Sequence, residues 1–249
     1  MIVISLKSKL LKATLAATAA LPLAAAGLFT SAGSAQAASL TGEFSFNGGV
    51  TVNPFASSLV TLKKDSLTFT PDSVIADSNG VKSTPVGVAA QTGSFLNFNS
   101  ASIRDIISFK SDTVQNPFLD LGNLTIPGTI LPGESTASLA DGKNIFTLTS
   151  SDYKISQTGA NITIAVDLWG YFTSATGEIT KGAGSLSFQR NNTTVAQANT
   201  ILNTTGGSLA NLTFSGSTFT TSVPEPAALL GLGAVGAVMV MSRRRRSVV

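Results

Sequence analysis

The chain has 249 residues, with 16 basic and 13 acidic side chains and neither cysteine nor histidine. The absence of cysteine excludes a disulfide framework, a thiolate nucleophile and a sulfur-ligated zinc site, and the absence of histidine excludes a Ser-His-Asp triad. Because these groups perform much of enzyme chemistry, we predict no catalytic residue, no metal site and no cofactor.

The N-terminal segment has the pattern of a secretory signal peptide. Three lysines within the first 12 residues precede an alanine- and leucine-rich run over 13–28, and Ala35 and Ala37 then form an Ala-x-Ala site. A basic start, an apolar centre and a small-residue cleavage site are the three parts of such a peptide. We expect signal peptidase to cut after Ala37, so residues 1–37 are left out of the fold. A retained N-terminal membrane anchor is the alternative.

Residues 38–222 are predicted to form one all-β domain. Apolar and polar residues alternate in many short runs, for example at Phe44 and Phe46, and this period of two is typical of strands with one buried face. Turn signals such as Asp77-Ser-Asn-Gly separate roughly ten to twelve such runs. Residues 103–109 and 193–202 are the two short helix candidates, and the β-branched residues of the first favour a strand. We predict an antiparallel two-sheet β-sandwich of jelly-roll type.

The charge of this domain argues against nucleic acid as a partner. Residues 39–222 contain nine basic and twelve acidic residues, a net charge of −3, so the overall charge of +3 comes from the two ends of the chain. A nucleic-acid-binding domain needs a basic patch to neutralise phosphates. We therefore expect no nucleic-acid partner.

The run Asn161–Phe172 contains the only tryptophan of the chain. In an unbroken strand, Asp167, Trp169 and Tyr171 share the face opposite the core. An exposed Trp and Tyr beside an acid form a candidate glycan platform, because aromatic rings present flat apolar surface together with a polar group. The alternatives are a bulge at Gly170 that turns the Trp inward, or a loop that covers it.

Two other acidic patterns are candidates for chemistry. Asp152 and Asp167 flank the same region, and a carboxylate pair supports glycoside hydrolysis without histidine, but no local signature marks an acid or a nucleophile. Asp77-Ser-Asn79-Gly80 places two oxygen ligands at alternate positions but lacks the remaining ligands of a calcium loop. We interpret it as a turn.

The C-terminal segment, residues 223–249, has three parts. A Pro-Glu-Pro motif is followed by 15 uncharged, mostly apolar residues over 227–241 and then by four arginines. A helix of that length spans about 22 Å, less than the roughly 30 Å of a bilayer core, and arginines on one side favour a cytoplasmic tail. The residues of the motif and of the arginine cluster are Pro224, Glu225, Pro226, Arg243, Arg244, Arg245 and Arg246.

This three-part tail resembles the PEP-CTERM sorting signal of Gram-negative bacteria. The resemblance covers residues 223–249 and implies that an exosortase, a membrane-embedded sorting protease, acts near Pro224–Pro226 while the apolar helix holds the chain in the membrane. It also implies an association with exopolysaccharide. An ordinary tail anchor is the alternative.

Together these features predict an exported protein that passes through a membrane-anchored intermediate to the cell surface or extracellular matrix. Its expected partners are signal peptidase, an exosortase-type protease, the membrane as a transient anchor, and polysaccharide. The expected function is structural or adhesive and associated with exopolysaccharide. The alternative is a secreted carbohydrate-active enzyme or a glycan-binding module.

Overall fold

A computed structural model describes residues 39–71, 74–109 and 113–220 of the chain. The helices within these residues are two short 3-10 helices, Gly93–Asn97 and Ala137–Leu139, and one α-helix, α1 (Val195–Asn203). In chain order the strands are β1 (Glu43–Gly48), β2 (Val50–Val52), β3 (Phe55–Ser57), β4 (Leu59–Lys63), β5 (Leu67–Thr70), β6 (Ile75–Ala76), β7 (Lys82–Ala89), β8 (Ser100–Ile103), β9 (Gln115–Gly122), β10 (Thr129–Ile130), β11 (Ile145–Thr158), β12 (Asn161–Thr173), β13 (Ile179–Arg190), β14 (Ser208–Leu212) and β15 (Phe214–Thr220).

Eight of these strands form a closed antiparallel ring. The order around the ring is β1-β15-β13-β12-β11-β9-β8-β7, and β7 pairs again with β1, where Val88 lies opposite Phe46. The predicted two-sheet, jelly-roll-like sandwich is therefore wrong. The coarser prediction of a mostly β, antiparallel domain is confirmed, but its main sheet closes on itself as a barrel. Two small three-stranded sheets, β10-β2-β3 and β14-β4-β5, are separate from this ring in their strand pairing.

Inward-facing glycines explain how the ring closes around large side chains. A Cβ on Gly182 would lie 2.7 Å from the ring of Phe172, and a Cβ on Gly216 would lie 2.4 Å from the ring of Phe46. A barrel of eight strands has an interior only wide enough for side chains to fill. Each phenylalanine ring occupies the space that a side chain at the glycine would need. The interior is therefore filled without steric overlap.

The barrel core is dominated by phenylalanine. The ring of Phe95 lies 4.8 Å from that of Phe44 and 5.0 Å from that of Phe172, so the first 3-10 helix packs its buried aromatic residue against side chains of β1 and β12. Phe146 continues the cluster, 4.8 Å from Phe172. Edge-on and tilted aromatic contacts of this kind add to the free energy gained from burial alone.

The helix α1 follows the barrel strand β13 and begins at a capping box. The Thr194 hydroxyl accepts a hydrogen bond from the Gln197 N–H at 3.2 Å, and the Gln197 side chain accepts one from the Thr194 N–H at 2.8 Å. These two hydrogen bonds satisfy backbone N–H groups at the start of the helix that have no acceptor within the helix. Ala198 and Leu202 bury the inner side of the helix in the main core.

Candidate functional site

The strand that carries the only tryptophan is continuous. β12 pairs with β13 without interruption, and Asp167 and Trp169 are exposed on its outer face, while Tyr171 is half-buried. The predicted alternation of this strand is confirmed. The inward side chains that it buries are Ile162, Ile164, Val166, Leu168 and Phe172.

Neither of the alternatives that would hide the indole occurs in the described residues. The irregularity in strand register lies on β11, between Leu148 and Ser150, and not at Gly170. The extra residue there, Thr149, donates a hydroxyl hydrogen bond to the Trp169 carbonyl oxygen at 3.0 Å. The Trp169 side chain is 44% exposed, so no described segment buries it.

Trp169 belongs to a row of side chains that crosses four neighbouring strands. Trp169 lies opposite Ala183 of β13, Ala183 lies opposite Phe219 of β15, and Phe219 lies opposite Glu43 of β1. Phe219 is 45% exposed, close to the value for Trp169. Since neighbouring strands are 4.7–4.9 Å apart, the two aromatic residues are separated by roughly 10 Å. We call Trp169, Ala183 and Phe219 the aromatic row.

A second row of short polar side chains runs parallel to the aromatic row. Asp167 lies opposite Ser185, which lies opposite Ser217, which in turn lies opposite Ser45. The hydroxyl oxygens of Ser185 and Ser217 are 3.5 Å apart. We call these four residues the serine row. Because its side chains are short, this part of the outer barrel surface is flat and rich in hydrogen-bonding groups.

Phe219 was missed by the sequence reasoning, which assigned only Asp167, Trp169 and Tyr171 to the glycan platform. A local signal was present, since alternation from the buried Phe214 places Phe219 on the outer face. What the sequence does not reveal is that β15 lies two strands from β12. That placement, and with it the aromatic row, depends on pairings between residues far apart in the chain.

The two acids of the candidate carboxylate pair lie next to each other in the structure. Asp152 of β11 lies directly opposite Asp167 of β12, and both side chains are exposed. The Asp152 carboxylate also accepts a hydrogen bond from the Tyr153 N–H at 2.8 Å. An exposed pair on an open sheet face lacks the enclosure that usually excludes water from an active site.

Asp77 forms a turn, as interpreted from the sequence. One carboxylate oxygen accepts hydrogen bonds from the N–H groups of Asn79 and Val81, and the other is 2.7 Å from the Arg104 guanidinium. The Val81 N–H, followed by the Asn79 N–H and Arg104, lowers the pKa of Asp77. Within the described residues, no three acidic side chains are grouped in a way that would hold a metal ion.

The sorting features lie outside the described residues. This applies to the signal peptide 1–37, to Pro224, Glu225 and Pro226, and to the arginine cluster Arg243–Arg246, all of which remain sequence predictions. In the part of the chain that the structure describes, no helix has the length and apolar character needed to cross a membrane.

Comparison with protein-family models, curated proteins and solved structures finds no match for this chain.

Proposed function

We propose that the chain is an exported protein of the cell surface or extracellular matrix, and that its barrel binds exopolysaccharide along the aromatic row. Its role is structural or adhesive. The observation that carries the proposal is the alignment of two half-exposed aromatic side chains, Trp169 and Phe219, across β12, β13 and β15. The signal peptide and the PEP-CTERM-like tail supply the expected route to the surface.

The chemistry of the face suits a sugar polymer. Aromatic rings offer flat apolar surface to the C–H faces of sugar rings, and the small side chain of Ala183 leaves the space between the two rings open. The serine row places hydroxyl groups and one carboxylate beside the rings, where they meet sugar hydroxyls. We infer that the polymer lies across the strands, parallel to the row.

The charge of the domain restricts the class of polymer. Residues 39–222 carry a net charge of −3, and Asp152 and Asp167 lie side by side next to Trp169. A strongly anionic polymer would be repelled at this position. The proposed ligand is therefore a neutral or weakly charged polysaccharide.

The test is a co-sedimentation assay with the extracellular polysaccharide of the producing organism. Trp169→Ala and Phe219→Ala should each reduce the bound fraction severalfold, and the double variant at least tenfold, because each removes a stacking surface. Phe55→Ala is the matched control, since Phe55 is an aromatic residue that is 76% exposed on β3, a strand that does not belong to the barrel sheet. Equal retention of the wild-type protein and the double variant would refute binding at the aromatic row.

The second candidate, a carbohydrate-active enzyme, is supported by one observation, the opposition of Asp152 and Asp167. Residues opposite each other in an antiparallel pair have Cβ atoms about 4.5–5.5 Å apart, which allows their carboxyl groups the separation of about 5–5.5 Å that retaining glycosidases use. The same co-sedimentation samples distinguish the two functions. A binding protein leaves the number of reducing ends constant, whereas an enzyme increases it, and that increase should disappear in Asp152→Asn.

A further inference from the structure

Residues 137–144 form a strap that lies across β8 and β9. The Ser102 hydroxyl of β8 donates a hydrogen bond to the Leu139 carbonyl oxygen of the strap at 2.6 Å. The strap lies so close to β9 that a Cβ on Gly122 would be 2.4 Å from the Ser138 carbonyl oxygen. In the ring of eight strands, β8 is four strands away from β13 in either direction. The strap and the aromatic row are therefore on opposite sides of the barrel.

Few buried side chains hold the strap in place. Of residues 137–144, all of which the structure describes, only Leu139 is buried. Leu139 packs with Ile75 and Leu124 in a small apolar cluster that is separate from the main core. A segment with so few buried apolar contacts opens at a lower free-energy cost than the whole domain unfolds. The strap can therefore open while the eight barrel strands stay paired.

A buried carboxyl group lies between the strap and β9. Asp120 of β9 is 2% exposed, and one of its carboxyl oxygens accepts a hydrogen bond from the Gly142 N–H of the strap at 2.9 Å. The other oxygen is buried and has no hydrogen-bond partner among the described residues. A single N–H group replaces only part of the water that would surround a carboxylate, so ionisation of Asp120 is costly while the strap is closed.

The neighbouring charges do not remove this cost. Asp141 of the strap forms an ion pair with Lys143, whose Nζ lies 3.2 Å from its carboxylate. The other charged groups that act on Asp120 are Arg104 and Asp77, which are paired with each other at 2.7 Å. Burial has the largest effect and raises the pKa of Asp120 to about 6. Asp141 and Asp77 act in the same direction, whereas the hydrogen bond from the strap and Arg104 oppose it.

We propose that the strap is a pH-controlled flap, which is closed over β8 and β9 while Asp120 is protonated and opens when Asp120 ionises. Opening lets water reach the carboxylate, breaks the hydrogen bonds of the strap to Asp120 and Ser102, and exposes Leu139. This device goes beyond the proposed function, since it lies on the opposite side of the barrel from the aromatic row and needs no polysaccharide.

The direction and size of the response follow from proton linkage. In the open strap the carboxyl group of Asp120 is in water, and its pKa returns to the ordinary value of 3.8. Between about pH 4 and pH 6 the closed state binds more protons than the open state, so the equilibrium constant for opening rises with pH, by up to about tenfold per pH unit. The total increase is about a hundredfold, and the constant levels off above about pH 6.

The test is hydrogen–deuterium exchange with mass spectrometry on the full chain in a non-ionic detergent, from about pH 4 to about pH 7. After correction for the intrinsic exchange rate at each pH, the protection of peptides from residues 137–144 should fall by up to about a hundredfold and then level off. Peptides from β12 are the internal reference. The strap should exchange about tenfold faster than β12, or more, at every pH, because it opens without the barrel.

Three variants separate the effect of Asp120 from other causes. Asp120→Asn keeps an acceptor for the strap N–H but cannot ionise, so its strap should stay protected at every pH. Asp141→Asn is the matched control, since it changes an exposed acid of the strap and should retain the fall in protection. Ser102→Ala removes the hydrogen bond to Leu139 and should speed exchange of the strap severalfold at every pH. The last variant remains informative if Asp120→Asn does not fold.

Four results would overturn the proposal. The first is strap protection that does not change with pH in the wild type, and the second is a fall of equal size in the wild type and in Asp120→Asn. The third is equal protection of the strap and β12, because opening would then be unfolding of the whole domain. The fourth is unchanged exchange of the strap in Ser102→Ala.

Discussion

Asp120 is the most strongly perturbed acid among the described residues. Its side chain on β9 is buried, one carboxylate oxygen accepts a hydrogen bond from the Gly142 N–H at 2.9 Å, and the other has no partner in the described part of the chain. Burial raises the pKa of Asp120 to about 6, against the opposing effect of the Gly142 hydrogen bond, and the nearby charge of Asp141 acts in the same direction as burial. Burial thus keeps Asp120 protonated to a higher pH in the folded state than in the unfolded state.

This pKa predicts how stability depends on pH. Between about pH 4 and pH 6 the folded state binds more protons at Asp120 than the unfolded state, so the free energy of unfolding falls as the pH rises through this window. Asp120→Asn should remove this contribution and raise the free energy of unfolding at pH 7 by ~1–2 kcal/mol. Urea denaturation of the wild type and the variant at several pH values measures the free energy of unfolding of each. Parallel pH profiles for the wild type and the variant would contradict the assignment.

At the scale of one element, Gly170, the residue after Trp169, allows β12 to lie close to β11. A Cβ on Gly170 would lie 1.9 Å from the Thr147 carbonyl oxygen and 3.0 Å from the ring of Phe146, so only glycine allows β11 and β12 to approach this closely. The absence of a side chain lets the two strands stay paired past the bulge at Thr149. The outward orientation of Trp169 depends on this pairing.

Gly170→Ala should therefore destabilise the barrel by ~3 kcal/mol or more, because the atom that the new methyl group meets is backbone and moves only with the strand. Gly87→Ala is the matched control. A Cβ there would meet first the Asn47 side chain, at 3.0 Å, and a side chain can turn away. Thermal unfolding of both variants measures the difference. Similar melting temperatures for the two variants would show that the strands do not approach as closely as described.

At the scale of the whole molecule, local patterns in the sequence predict the strands but not their closure. The alternation along 162–168 specifies which side chains of β12 are buried, and the structure agrees. The same alternation suits the inner face of a sandwich or of a barrel, so it does not distinguish them. The deciding contacts, such as β1 with both β15 and β7, join residues far apart in the chain.

The residues of the candidate site also divide into those that a local pattern predicts and those that depend on pairing between distant strands. Asp167 and Trp169 follow from the period of one strand, whereas Phe219 joins them only through two strand pairings. Local alternation therefore explains the site residues that the sequence predicted, and long-range strand pairing explains the one that it missed.

The two ends of the described chain meet at one position on the barrel. The Thr220 N–H donates to the Gly42 carbonyl oxygen at 2.9 Å, and the Gly42 N–H donates to the Thr220 hydroxyl at 2.9 Å. Both β1 and β15, the first and last strands, are members of the closed ring. Cleavage after Ala37 and near Pro226 would leave every barrel strand in place, which is the property that export and sorting require.

The most direct test of export and sorting is the intact mass of the native protein, measured separately in membrane and secreted fractions together with its terminal peptides. We predict a secreted form that begins at Ala38 and lacks the residues after Pro224–Pro226, and a membrane form that keeps its arginine cluster. A protein with its complete tail, found in the membrane fraction alone, would contradict the proposed sorting and remove the main support for a role in the extracellular matrix.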